Sequence, residues 1–277
     1  MTTWHPGLYV AATPIGNLDD LTPRVGEALR QAVLVAAEDT RVTGLLLRRA
    51  GGSARMVSLT EHNVDSRIPE VLAAAREGVA VLASDAGTPG VSDPGARLVA
   101  AAHREGVRVV PLPGPSALSA AISVAGFDAV EAVFVGFLPR QRSARQAALR
   151  AAAGPARMVV AFESPNRVGA LLSDIAEALQ DPEVVVCREL TKLHEEVVRG
   201  RALELANRFG QTRGEVTLVI GPTAAASSEA GSGGARELIA AFRRAGAKRA
   251  AAAAEVARLT GAPRNEVYEL WEALAEG

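Results

Sequence analysis

What this chain lacks narrows its chemistry before any motif is considered. Among its 277 residues there is one cysteine, Cys187, which excludes an internal disulfide and most thiolate metal sites. Cys187 closes the apolar run Val184-Val185-Val186, where a small buried hydrophobe is expected rather than a nucleophile. The histidines His5, His62, His103 and His194 are scattered, so no metal centre is expected from them. Aromatics make up 4% of the chain, which leaves the cores to be packed by Ala, Val and Leu. No apolar run approaches the roughly 20 residues of a membrane span. Pro6-Gly7 breaks a polar start where a secretory leader would need apolar residues, so a soluble cytoplasmic protein is expected. No Gly-x-Gly-x-x-Gly follows a strand and no Gly-Lys-Ser/Thr occurs, which disfavours a dinucleotide enzyme or a phosphate-loop ATPase. The formal net charge is −1, so any nucleic-acid footprint must be local.

What is present is a series of apolar runs that end in polar loops. Leu8 to Thr13, Val33 to Ala37, Met56 to Leu59, Val79 to Ala83 and Val107 to Leu112 read as buried strands separated by helices. That alternation predicts a mostly parallel sheet covered on both faces. The run ending at Ala83 opens into Ser84-Asp85-Ala86-Gly87-Thr88-Pro89-Gly90, with Asp93-Pro94 before the next helix. Such a loop is longer than the about 2–6 residues of a plain strand-to-helix connection. It lies where open α/β sheets bind small molecules, outside the carboxyl ends of strands. A second α/β unit with an antiparallel component is expected from about Val133 to Pro222. Its strands are Val133 to Phe137, Met158 to Phe162, Val184 to Arg188, Glu195 to Arg199 and Glu215 to Ile220. The expected domains are residues 1–118, 119–222, a small-residue linker over 223–234 and a helical module over 235–277. The helices of that module are Arg236 to Ala245, Lys248 to Leu259 and Arg264 to Ala275.

Six loop motifs then carry a resemblance. They are Thr13-Pro14-Ile15-Gly16-Asn17-Leu18, Glu38-Asp39-Thr40-Arg41, Glu61-His62-Asn63, Ser84 to Pro89, Ser92-Asp93-Pro94-Gly95 and Pro113-Gly114-Pro115-Ser116-Ala117. With Phe162-Glu163-Ser164-Pro165-Asn166-Arg167 and Arg188-Glu189-Leu190-Thr191-Lys192, they resemble the ribosomal small-subunit RNA methyltransferase branch of the tetrapyrrole methylase superfamily. The resemblance spans roughly residues 8 to 222. It implies two α/β domains with S-adenosylmethionine between them, a homodimer, and 2′-O-methylation of a cytidine in the decoding region of 16S rRNA. The small helical carboxy-terminal module resembles a helix-turn-helix and is expected to help grip RNA.

Carried over by motif, the cofactor contacts fall at Ile15, Asp85, Ala86, Gly87, Thr88, Ser116 and Ala117, with Phe162, Leu190 and Thr217 from the second half. Pro14-Ile15-Gly16-Asn17 stands where the porphyrin and corrin branch carries a glycine-rich loop, which favours an RNA substrate. Asn166 stands where relatives often have histidine, which removes a general base there. Strand-end acids Glu38, Asp39, Glu61, Glu163 and Glu189 are candidates for that role, with Glu163 and Glu189 preferred and Lys192 beside them as a catalytic cation. RNA-binding expectations fall on Arg41, on Arg140, Arg142 and Arg145, and on Arg243, Arg244, Lys248 and Arg249. Two other readings remain open at this stage: a tetrapyrrole or diphthamide-precursor methyltransferase, and a non-catalytic regulator that senses S-adenosylmethionine and binds nucleic acid.

Overall fold

The computed structural model describes residues 3–223, 229–244, 246–260 and 263–274. Residues 1–222 form one compact unit and residues 223–277 another. The first unit begins with five strands: β1 (Gly7–Ala11), β2 (Ala32–Ala37), β3 (Arg55–Ser58), β4 (Val79–Ala83) and β5 (Val109–Leu112). They form a sheet in the order β3-β2-β4-β1-β5, with every neighbouring pair parallel. Between them run α1 (Pro23–Gln31), α2 (Thr40–Arg49), α3 (Val64–Glu77) and α4 (Gly95–Arg104). Strand periodicity sends Leu8, Leu34 and Leu82 to one face, where they pack with Leu72 of α3 and Leu98 of α4. Tyr9, Val35 and Val81 go to the other face, against Val25 and Leu29 of α1 and Leu46 of α2. The start of α1 follows the sequence expectation: the Thr22 hydroxyl accepts from the Val25 amide at 3.3 Å, and Pro23 occupies the first turn.

After α5 (Ala117–Ala125) the second sheet contains β6 (Glu131–Phe137), β7 (Arg157–Glu163), β8 (Glu183–Arg188), β9 (Glu196–Arg201) and β10 (Val216–Ile220). Its order is β6-β7-β10-β8-β9. Only β6 and β7 are parallel, and the other three pairs are antiparallel, as the close spacing of the later strands predicted. One face packs on α6 (Arg142–Ala152), α7 (Val168–Leu179) and α8 (Ala202–Arg208). The other face carries Val160, Val185, Cys187 and Val219 against Ala121 and Ala125 of α5. The helix that follows the first sheet therefore covers the second.

The carboxy-terminal unit holds α9 (Glu229–Arg244), α10 (Arg249–Thr260) and α11 (Arg264–Ala273) around Ala235, Ile239, Ala253, Val256 and Val267. Its first helix begins at Glu229, inside the stretch 223–234 read as linker, and residues 224–228 of that stretch lie outside the described residues. Among the described residues, no helix is long and apolar enough to cross a membrane.

Candidate active site

A cavity of about 340 Å³ lies where the loops of the two sheets face each other, within the first unit. The loops after β1 and β4 are tied as a pair, because Thr13 and Gly87 exchange backbone hydrogen bonds of 2.9 and 3.0 Å. The Thr88 hydroxyl donates to the Pro115 carbonyl at 3.1 Å and brings in the loop after β5. These three loops supply Ile15, Ala86, Gly87, Thr88, Ser116 and Ala117 to the wall. From the second sheet, register does the work. Thr217 of β10 pairs with Phe162 of β7 on one side and with Cys187 of β8 on the other. Three adjacent strands thus present one row of side chains to the cavity, and Leu190 extends it. Gly16 closes the gap between halves, since a Cβ there would collide with the Lys192 side chain.

Nine of the ten residues expected to touch a cofactor line this one cavity; the exception is Asp85. Its carboxylate accepts from the Asp39 amide at 2.7 Å and binds the end of β2 to the end of β4, so it acts as a tie between strands. The sequence reading missed Val91, Phe137, Ser164, Pro165, Glu215 and Val216, which also line the wall. Pro165 and Ser164 sit inside a quoted motif, and Val91 sits between two others, so proximity was the available signal.

Among the candidate bases, Glu163 lines the cavity and is 3% exposed. Its Oε1 accepts from the Ser164 amide at 2.7 Å. Its Oε2 lies 3.0 Å from Arg167 Nη2 as an ion pair, off the line of a hydrogen bond, and makes none. A buried carboxylate oxygen without a donor is a place for a ligand hydroxyl. Glu189 is different, and it does not line the wall. Its Oε1 accepts from the Glu215 amide and from Lys192 Nζ, each at 2.9 Å. Those bonds, the amide's first, hold its carboxyl below the usual range, so it is a poor proton acceptor. Lys192 also reaches Glu215 at 3.1 Å, so its charge lies between two carboxylates, and Lys192 itself does not line the wall. At the end of β2, burial first and then the charges of Asp85, Asp93 and Glu61 raise the Glu38 carboxyl. Asp39 is lowered to about 2 by its hydrogen bonds to Arg41.

The expected RNA-binding arginines divide sharply. Arg145 is 8% exposed, and its guanidinium is consumed by Asp174 and by the Pro139 and Arg140 carbonyls. It is a structural ion pair and is removed from the RNA surface. Arg142 shares Asp174 and also meets Glu177. Arg41 is exposed but forked onto Asp39 at 2.5 Å. Arg140 is exposed. In the carboxy-terminal unit, Arg243 lies 5.4 Å from the Trp271 ring and donates to the Trp271 carbonyl. Arg249 lies over Tyr268 and meets Glu272, while Lys248 is exposed. The Arg244 side chain lies outside the described residues.

Residues 7–206 match the family of Tetrapyrrole (Corrin/Porphyrin) Methylases. The chain belongs to that family, in the branch of the ribosomal RNA small subunit methyltransferases I. The relatives that place it there include the protein of that name from Micromonospora olivasterospora, 42% identical over 266 residues, covering 95% of this chain and 85% of that one. The Synechocystis protein of the same name is 39% identical over 268 residues, covering 95% and 96%. Two solved structures share the fold. Uroporphyrin-III C-methyl transferase from Thermus thermophilus, complexed with S-adenyl homocysteine, gives a TM-score of 0.54 at 20% identity over 78% of this chain and 97% of that one. A cobalt precorrin-4 methyltransferase gives 0.59 at 18% identity over 77% and 94%.

Proposed function

We propose that this chain is an S-adenosylmethionine-dependent methyltransferase acting on the ribose 2′-hydroxyl of a cytidine in 16S rRNA. The cavity between the sheets carries the reading, because it gathers small residues, backbone-rich loops and one buried carboxylate around a single space. Its volume falls at the lower end of the ~300–1,000 Å³ of small-molecule sites. The wall fits such a cofactor: Phe162, Leu190 and Cys187 offer apolar surface, while Ala86-Gly87-Thr88 and Ser116-Ala117 offer backbone groups. The orphaned Oε2 of Glu163 is the polar atom that awaits a donor.

S-adenosylmethionine supplies a methyl group on a sulfonium whose departure as a neutral thioether needs no acid. The protein's tasks are alignment of the acceptor oxygen and removal of its proton. Holding both partners in line contributes of order ~7–11 kcal/mol in favourable cases. Glu163 accepts the hydroxyl proton at Oε2, a role worth about 10²–10⁴ in rate. Arg167 Nη2 lies 3.0 Å from that same oxygen as an ion pair. Arg140, Lys248 and neighbouring cations supply salt-dependent phosphate affinity. A cytoplasmic homodimer completes the proposal, with sedimentation as its measure.

Labelled cofactor and small ribosomal subunits from cells without the enzyme test the reading. The label is expected on one cytidine ribose, and Glu163→Gln lowers turnover at least about 100-fold while the cofactor still binds. Label on a base, or none from an intact protein, rejects the proposal. A sensor would bind the cofactor and release no product.

A further inference from the structure

Two cavity-wall residues, Val91 and Leu190, stand in the same unusual setting on different loops. Val91 lies between Gly90 at φ 92° and Ser92 at φ 65°. Leu190 lies between Glu189 at φ 51° and Thr191 at φ 67°. Among the described residues, five non-glycine positions have positive φ, and three of them adjoin these two wall residues. Such conformations are sparsely populated, least of all by a β-branched residue such as Thr191, and persist only where the surroundings enforce them. Thr191 receives no help from its own hydroxyl, which is buried without a hydrogen-bond partner.

Asp93 holds the first loop; the second is held by Glu189, with Glu195 Oε2 also accepting from the Thr191 amide at 2.6 Å. Asp93 accepts from the Gly90 amide through Oδ2 at 2.7 Å and from the Gly95 amide through Oδ1 at 2.8 Å, spanning the strained turn. Glu189 uses a single oxygen: Oε1 accepts from the Glu215 amide and from Lys192 Nζ. The Glu189 amide in turn donates to the Glu215 carbonyl at 2.9 Å. The carboxylate lies over Gly214, where a Cβ would collide with it.

We propose that Asp93 and Glu189 are positioning residues, each locking a strained clasp that presents one apolar side chain, Val91 or Leu190, to an adenosyl ligand in the cavity. Neither carboxylate touches the ligand. The clasps fix the wall before binding, so ordering them costs no affinity at the moment of capture. The proposal rests on the cofactor reading above and assigns Glu189 to loop geometry rather than proton transfer.

The two carboxylates differ in a way that a conservative substitution exposes. An amide at position 93 keeps one acceptor where two are needed. An amide at position 189 keeps the one oxygen that does the holding. Calorimetric titration of the full chain with S-adenosylhomocysteine measures the consequence. Asp93→Ala, Asp93→Asn and Glu189→Ala are expected to weaken binding about tenfold, equivalent to ~1.4 kcal/mol. Glu189→Gln is expected to stay within about threefold of the parent, since its oxygen keeps both acceptor positions. Adding Thr191→Gly to Glu189→Ala should recover about threefold, because glycine adopts the left-handed turn without enforcement. In steady state, Asp93→Ala should raise KM for the cofactor far more than it lowers kcat. Val91→Ala and Leu190→Ala leave both clamps in place and are expected to weaken binding as well.

Folded alanine variants at 93 and 189 that bind like the parent would overturn the proposal. So would Glu189→Gln losing as much as Glu189→Ala, which would assign the effect to charge. If the alanine variants fail to fold, parental affinity in both Val91→Ala and Leu190→Ala overturns it alone. A parent protein that does not bind the probe would remove the cofactor reading itself.

Discussion

Cys187 shows how neighbours decide what one atom can do. Burial first, and then the charge of Glu195, push its thiol up to about 11, although the side chain lines the cavity. The thiolate is the reactive form, so alkylation at pH 8 should be slow and S-adenosylhomocysteine should slow it several-fold further. Mass spectrometry of iodoacetamide-treated protein reads both effects. The sign of the pH dependence follows from the raised value. This contribution to stability is complete below the thiol's ordinary 9.0 and is lost as pH rises toward about 11. The sequence revealed residue types better than partners. Asp85 was visible as an acid at a strand mouth, yet its target is the Asp39 amide at the end of a different strand. Gly87 was legible because a loop glycine at a strand mouth lets the backbone approach a ligand, and Thr88 through the motif resemblance. Val91 was not, because nothing local shows that a valine in a Pro-Gly-Val-Ser turn is held inward.

At the scale of elements, apolar runs located central strands such as β4 and β10 to within a few residues, because strands buried on both faces have no polar positions to blur them. The edge strand β9 was harder, since its burial alternates. Helix α9 was misread at its start because Gly231, Gly233 and Gly234 each disfavour helix by about 1 kcal/mol. The small core around Ala235 and Ile239 supplies the packing that local propensity withholds. Charge misled more than hydrophobicity did. A run of arginines without acids, residues 139–157, looked like an RNA surface, but Asp174 of α7 captures Arg145 and Arg142 of α6. Arg145→Ala should therefore cost about 1–3 kcal/mol in urea denaturation, because the buried Asp174 loses its Oδ2 partner while Arg142 still meets Oδ1. Arg140→Ala should leave stability within about 0.5 kcal/mol. It should instead weaken RNA binding and flatten its salt dependence.

At the scale of the molecule, the first unit holds the entire cavity, and the carboxy-terminal unit has its own apolar core. Removing residues 223–277 should lower affinity for small-subunit RNA at least about tenfold while S-adenosylhomocysteine binding changes less than threefold, as filter binding and calorimetry would show. Equal losses in both would contradict that separation of duties. The order of strands has a consequence for biosynthesis. β10 is the last strand of the first unit to leave the ribosome and lies at the centre of its sheet, between β7 and β8. Until residues 216–220 emerge, β6 with β7 and β8 with β9 are two pairs without a common neighbour. A nascent chain therefore holds only part of the wall, and ligand capture becomes a checkpoint on completed translation of the unit.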